Sequence, residues 1–247
     1  MYFATYRNPV RMQHITSHLL MKYGFFFIWA MAVTTVTAQP KRLDPQSDTA
    51  FWYSLKAKDA ARIGLADLMT STDSLHFRYW MENQAIDIWT NDLVHFDGII
   101  SNHTEKVESN SNTGLPARSP KFYSNKARLS GAEARNVFDL FERAQVFQLP
   151  TDKEIKNWQR GFDGAEYLLE YTKGSTYSFK AYWTPSAQQN VPEADTMLAL
   201  NKRLGQIINL GASWKSFLAT LPRGCYRVGE MTMVCPIIKT RRKKSHE

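Results

Sequence analysis

The 247-residue chain has only two cysteines, Cys225 and Cys235. A disulfide-dense framework is therefore excluded, as is a metal centre built on cysteine alone. The short catalytic fingerprints are missing as well: there is no G-x-S-x-G, no H-E-x-x-H, no P-loop and no dinucleotide-binding glycine pattern. The apolar run from Gly24 to Ala38 is 15 residues, short of the ~20 that a bilayer-spanning helix needs. The folded part also lacks a charge of one sign. The formal net charge is +8, but Arg7, Arg11 and Lys22 stand in residues 1–38 with no acid, and residues 239–247 hold five basic residues against Glu247. Residues 39–238 keep only +1. Nucleic-acid recognition needs basic side chains clustered on the folded surface, so that class is excluded.

What is present begins with a leader. Met21-Lys22 precede the apolar stretch Phe25-Phe26-Phe27-Ile28-Trp29-Ala30-Met31-Ala32-Val33, which closes on Val36-Thr37-Ala38-Gln39. A positive start, a short apolar stretch and small residues before the break predict a secretory signal peptide over residues 21–38, cleaved near Ala38. Residues 1–20 read either as sequence upstream of a start at Met21 or as a long leading region. Cleavage would leave 209 residues, enough for one ample core, in the periplasm or outside the cell and with no transmembrane anchor. In that oxidising setting Cys225 and Cys235 are expected to bridge. The bridge closes an 11-residue loop around Gly229, read as a stapled β-hairpin and contributing ~3 kcal/mol. Catalytic cysteine pairs usually sit two residues apart, so the bridge reads as structural. The basic end, residues 239–247, reads as a solvated tail in weak contact with an anionic surface.

The patterning predicts an α+β domain over residues 51–238 behind an extended arm at 39–50. Its order is strands, helix, strands, helix, hairpin, one compact domain or two similar β-plus-α units. Leu75, Phe77, Tyr79 and Met81 alternate with His76, Arg78, Trp80 and Glu82, the period-2 mark of a strand. Placing the turn at Asn83-Gln84 pairs Met81 with Ile86 and Tyr79 with Ile88. A further strand is expected over 93–102, with Asp97-Gly98 as a tight turn or a bulge, then a long irregular loop over 105–128. Ser130 and Glu133 form a capping box ahead of the helical stripe Ala134, Val137, Phe138 and Phe141. In the second hairpin a three-residue loop, Thr172-Lys173-Gly174, gathers Tyr167, Leu169, Tyr171, Tyr177, Phe179, Ala181 and Trp183 on one face and sets Glu166 opposite Lys180. Pro192 opens the next helix, Gly211 is expected to stop it, and a short helix covers 214–218.

Three constellations could carry chemistry. Arg78, Trp80, Asp87 and Trp89 share one strand face in the expected register, with Trp80 across from Asp87 and Arg78 across from Trp89. Two indoles beside an acid and a base suit a ligand such as a sugar ring; the competing reading is a face covered by a second layer. His95, Asp97 and His103 share parity along one strand, but with no fourth ligand the set does not amount to a metal site. Asp163, Glu166 and Glu170 near Trp158 offer carboxylates, yet Glu166 and Glu170 would lie about 13 Å apart along a strand, outside both glycosidase geometries. No catalytic residue, metal or cofactor is assigned.

Three runs carry a resemblance: Ile86-Asp87-Ile88-Trp89-Thr90, Trp158-x-x-Gly161-Phe162-Asp163-Gly164 and Tyr182-Trp183-Thr184-Pro185. Together they resemble small exported proteins of unknown function from Bacteroidetes-type bacteria, and the resemblance implies a periplasmic or secreted address. The expectation is a non-enzymatic module that binds an envelope ligand or protein. The alternative is a hydrolase that acts on an envelope polymer, glycan or peptide, through acidic residues.

Overall fold

The computed structural model describes residues 40–49, 52–107, 120–161, 163–229 and 232–235. The leader, the basic tail and the stretch 108–119 lie outside them, as does the signal-peptide expectation. Residues 39–247 form one compact unit of the α+β class, and a single mixed sheet of nine strands organises it.

The strands are β1 (Arg42–Leu43), β2 (Leu75–Met81), β3 (Gln84–Thr90), β4 (Asp97–Val107), β5 (Phe122–Leu129), β6 (Glu166–Lys173), β7 (Thr176–Trp183), β8 (Cys225–Val228) and β9 (Thr232–Val234). Their order is β1-β7-β6-β2-β3-β4-β8-β9, with β5 also paired to β4. Helices α1 (Trp52–Ile63), α2 (Gly131–Arg143), α3 (Pro192–Ile207) and α4 (Leu210–Thr220) complete the fold. Because β2 pairs with β6 along its whole length, the two expected β-plus-α units merge into one sheet.

Both faces of that sheet are buried. On one, Phe77, Tyr79, Ile86, Ile88 and Leu169 pack against Val137 and Phe141 of α2 and Met197, Leu200 and Leu204 of α3. Phe77 and Phe141 lie 4.9 Å apart, centroid to centroid. On the other, Trp80, Ala85, Leu168, Tyr177, Phe179 and Ala181 pack against Ala60 and Ile63 of α1. Each large side chain so buried contributes roughly 1.5–3 kcal/mol.

Both hairpin registers differ from the expected ones: the first by a two-residue shift that keeps each side chain on its face, the second through burial of both faces. Matching apolar with apolar on a single face assumes the other face is wet, and here it is not. In the first hairpin the turn is Glu82-Asn83, so Tyr79 pairs with Ile86, Arg78 with Asp87 and His76 with Trp89. In the second, a two-residue loop, Gly174-Ser175, pairs Leu169 with Lys180 and Glu166 with Trp183. Glu166 therefore does not face Lys180, whose buried ammonium donates to the carbonyls of Phe147 (2.7 Å) and Leu149 (2.5 Å). Asp97-Gly98 is neither turn nor bulge but the start of β4, paired with β3. Residues 105–107 and 122–128 are strand rather than loop, and β5 pairs with β4 from Gly98 to Glu105.

The local signals fared better. Ser130 and Glu133 make the reciprocal capping box, and Pro192 sits at the first turn of α3. Gly211 does not end that helix. Asn209 intervenes, its side chain accepting from the Ala212 amide at 2.9 Å, and starts α4 with Gly211 in its first turn. The arm is anchored: Arg42 and Leu43 run parallel to Thr176 and Tyr177 of β7. Cys225 and Cys235 are bonded across the β8–β9 hairpin.

Candidate functional site: a polar cleft beside helix α1

The two-layered sheet leaves a cleft of about 710 Å3 at the end nearest the β2–β3 turn. Helix α1 presents Trp52, Lys56, Asp59 and Arg62 to it, a four-three-three spacing that keeps them on one helical face. The sheet supplies Trp80, His103, Glu105 and Phe122; the disulfide hairpin supplies Arg227, Val228 and Gly229; residues 160–166 supply the remaining wall.

Asn83 joins these parts. Its amide donates to the His103 carbonyl (2.9 Å) and the Arg227 carbonyl (3.2 Å), and its carbonyl oxygen accepts from the Gly229 amide at 2.6 Å. The Thr104 hydroxyl also donates to the Arg227 carbonyl, at 2.6 Å. The hairpin wall is thereby tied to the β2–β3 turn and to β4. On the opposite wall, Trp158 Nε1 donates to the Trp183 carbonyl at 3.0 Å. Gly161 and Gly164 lie against the Trp183 indole so closely that an added Cβ would come within 2.7 Å and 2.9 Å of the ring. A larger residue at Gly161 would have to displace the ring, and one at Gly164 would meet the Thr184 hydroxyl before the ring. The runs 158–164 and 182–185, noted in the sequence, are thus one structural unit that forms a wall of the cleft.

The cleft's charges nearly balance, with Lys56, Arg62, Arg160 and Arg227 against Asp59, Glu82, Glu105, Asp163 and Glu166. Several are already paired. Arg62 reaches Glu105 at 2.9 Å, Lys56 reaches Asp59 at 3.2 Å, and Arg160 reaches the buried Asp152 at 2.5 Å. His103 is only 7% exposed. Burial, followed by the nearby Lys56 ammonium, holds its imidazole down to about 4, so it is neutral at ordinary pH. Its Nδ1 has no hydrogen-bond partner. Trp80 lies edge-on to its ring at 6.2 Å and Phe122 lies 6.1 Å away.

Arg78, Trp80, Asp87 and Trp89 do share a sheet face, the one that α1 covers. Arg78, Trp80 and Asp87 are at most 2% exposed and belong to a buried charge network. Arg78 Nε donates to Asp87 Oδ1 at 2.8 Å and its Nη1 to Glu170 Oε1 at 2.6 Å. Trp80 Nε1 and the Tyr177 hydroxyl also donate to Glu170, at 3.3 Å and 2.8 Å. His76 bridges Asp73 and Asp87 through its two ring nitrogens at 2.9 Å and 3.0 Å. Burial, the largest single influence on His76, pushes it down, but the hydrogen bonds to Asp73 and Asp87 together leave it raised. Trp89 and Asp87 border a separate, smaller cavity of about 230 Å3, and only Trp80 of the four reaches the large cleft.

The other candidates are dispersed. His95 is exposed in the β3–β4 loop and bonded to Asp92 at 2.6 Å. His103 lies six residues beyond Asp97 on β4, about 20 Å at strand rise. Among the described residues no group of three His, Cys, Asp or Glu is placed to hold a metal. Glu170 is committed to Arg78, whereas Asp163 and Glu166 do line the cleft. Sequence reasoning missed Asn83, Trp52 and the place of His103 in the cleft lining; the four-three-three spacing along α1 was the available signal. No family model matches the chain, and no curated protein matches it.

Proposed function

We propose that the protein is an exported, non-enzymatic binding module of the cell envelope, periplasmic or secreted, and that the cleft beside α1 is its binding site. The observation that carries this reading is the cleft itself, about 710 Å3, where Trp52, Phe122 and Trp183 stand among polar and charged side chains. Small-molecule sites are concave, largely preformed and equipped with a few placed polar groups. Two of the cleft carboxylates, Asp59 and Glu105, are held by cations, which suits recognition better than acid–base work.

Three things support export: the leader at residues 21–38, the likeness to exported Bacteroidetes-type proteins, and the disulfide. Among the described residues no helix is long and apolar enough to cross a membrane. A thermal-shift panel of glycans, peptides and metal ions tests the binding role. A ligand at a hundred times its Kd should stabilise the fold by about 2.7 kcal/mol, and a panel with no response would count against it. Cell fractionation with N-terminal sequencing tests the address. The expected product begins at Gln39 outside the cytoplasm; a cytoplasmic chain that retains residues 21–38 would refute export.

A further inference from the structure

We infer that His76 is a pH-operated latch: as an imidazolium it clasps the segment Ser71–Asp73 to the sheet beside the smaller cavity, and on losing a proton it releases that segment. The first argument is geometric. His76 Nδ1 lies 2.9 Å from Asp73 Oδ2, and its Nε2 lies 3.0 Å from Asp87 Oδ1. A carboxylate only accepts, and a neutral imidazole carries a single N–H. The two contacts are satisfied together only by the doubly protonated ring. Its surroundings supply the counter-charges that a buried cation needs. Asp73 stands on the preceding segment and Asp87 on β3, while Arg78 of β2 binds Asp87 and, on β6, Glu170. From β5, Lys126 lines the same cavity, but its ammonium donates to the Gly64 carbonyl at 2.6 Å. Residues 64–66 bring only Gly64, Leu65 and Ala66 to that cavity. Burial is the largest influence on the imidazole and pushes it down, yet the bonds to Asp73 and Asp87 leave it raised.

The second argument decides which bond opens. Asp87 keeps only 2% of its side chain exposed, lies within β3 and also holds Arg78 at 2.8 Å. Asp73 keeps 21% exposed and lies outside any helix or strand. Water can solvate the Asp73 carboxylate but not that of Asp87. The proton given up to solvent is therefore the one on Nδ1, and Nε2–H stays on Asp87. A ring lone pair then faces Asp73 Oδ2, which repels it. Asp73 turns out to water, with the Ser71 hydroxyl, 2.7 Å from it, still donating. The flanks hold: Arg78 Nη2 donates to the Ala66 carbonyl at 2.9 Å, and the Ser74 hydroxyl to the Asn91 carbonyl at 2.5 Å. Movement is thus confined to Ser71–Asp73. Asp73 and His76 both border the cavity of about 230 Å3. The latch is shut in acid, and the cavity opens as pH rises through the His76 midpoint.

Imidazole nitrogen NMR of the purified protein, titrated from mildly acidic to alkaline pH, tests the latch. Below its midpoint His76 should show two protonated ring nitrogens. Above it Nδ1 alone should be unprotonated, and the amides of Ser71, Thr72 and Asp73 should shift with the same midpoint while that of Asp87 stays. Asp73→Asn should lower the midpoint by about one pH unit, the effect of one lost opposite charge. Its amide can accept from Nδ1–H or donate to a bare Nδ1, so the segment should stay clasped and its shifts lose their pH dependence. His76→Gln should abolish the transition; if that variant does not fold, Asp73→Asn, altered at a part-exposed side chain, carries the test alone. A single protonated ring nitrogen in acid, or a His76 that never titrates before unfolding, would overturn the latch. So would segment shifts that persist in either variant, or loss of the Nε2 proton first with movement at Asp87.

Discussion

His103 and His76 are both buried, yet they titrate in opposite directions, and each links folding to pH. His103 is held down to about 4 by burial and by Lys56, against an ordinary value near 6.5. The fold therefore favours its neutral form. Its contribution is complete above the ordinary value and is lost as pH falls from there toward 4, a difference of up to ~3 kcal/mol. His76 is raised, so its contribution is complete below the ordinary value and fades as pH rises through its folded value. His103→Phe should flatten the loss of stability between pH 6.5 and 4 in urea unfolding; an unchanged slope would show that other groups set the acid limb. Arg78 is the second residue with a decisive part, because Asp87 and Glu170 both depend on it. Arg78→Ala strands two buried carboxylates and should cost about 3–5 kcal/mol, measured by denaturant unfolding at pH 7. A loss under about 1 kcal/mol would mean that water reaches the network.

At the scale of elements, the disulfide hairpin matters most to the cleft, since among the described residues β8 pairs with β4 only at Lys106↔Tyr226 and Val107↔Cys225, and Asn83 and Thr104 supply its other ties. The chain-entropy model assigns the bridge ~3 kcal/mol, and the double variant Cys225→Ser with Cys235→Ser should lose about that much. Hydrogen exchange in the same variant should rise first at Arg227–Gly229, the cleft wall. Exchange confined to the region of α2 would contradict the hairpin's place in the site. The signals legible in the sequence were those complete within a short stretch: the Ser130–Glu133 box, Pro192, the cysteine hairpin and the alternation of β2. The second register was not legible, because α1 buries the face opposite α2 and α3, so polarity does not separate Leu168 from Leu169; in the first, alternation set the faces but not which residues make the turn. Strand β5 was hidden by Ser124, Asn125, Lys126 and Arg128, though its partner β4 pairs with it along eight residues. The four-residue constellation was recovered as a shared face, but its depth depended on a helix whose own pattern is loose. The cleft was illegible for a further reason: it assembles α1, the 82–83 turn, β4, the 158–164 run and β8, which no local rule brings together.

For the molecule as a whole, the sheet face under α1 carries two chemistries. Its buried part carries Asp73, His76, Asp87, Arg78 and Glu170, whose charges answer one another and tie together the three strands β2, β3 and β6. The open end carries the cleft, with the unsatisfied nitrogen of His103 and walls fixed by Asn83 and the Trp158–Trp183 unit. The near-neutral charge of residues 39–238 agrees with a cleft whose own charges nearly cancel, and both point away from highly charged partners. The most direct measurement is a two-dimensional amide NMR titration with the panel compound that raises the melting temperature most. The account predicts that perturbed amides cluster at Asn83, His103, Gly164 and Gly229, around the cleft. Perturbations centred instead on Asp87, Trp89 and Ile99, around the smaller cavity, with His103 unmoved, would contradict it.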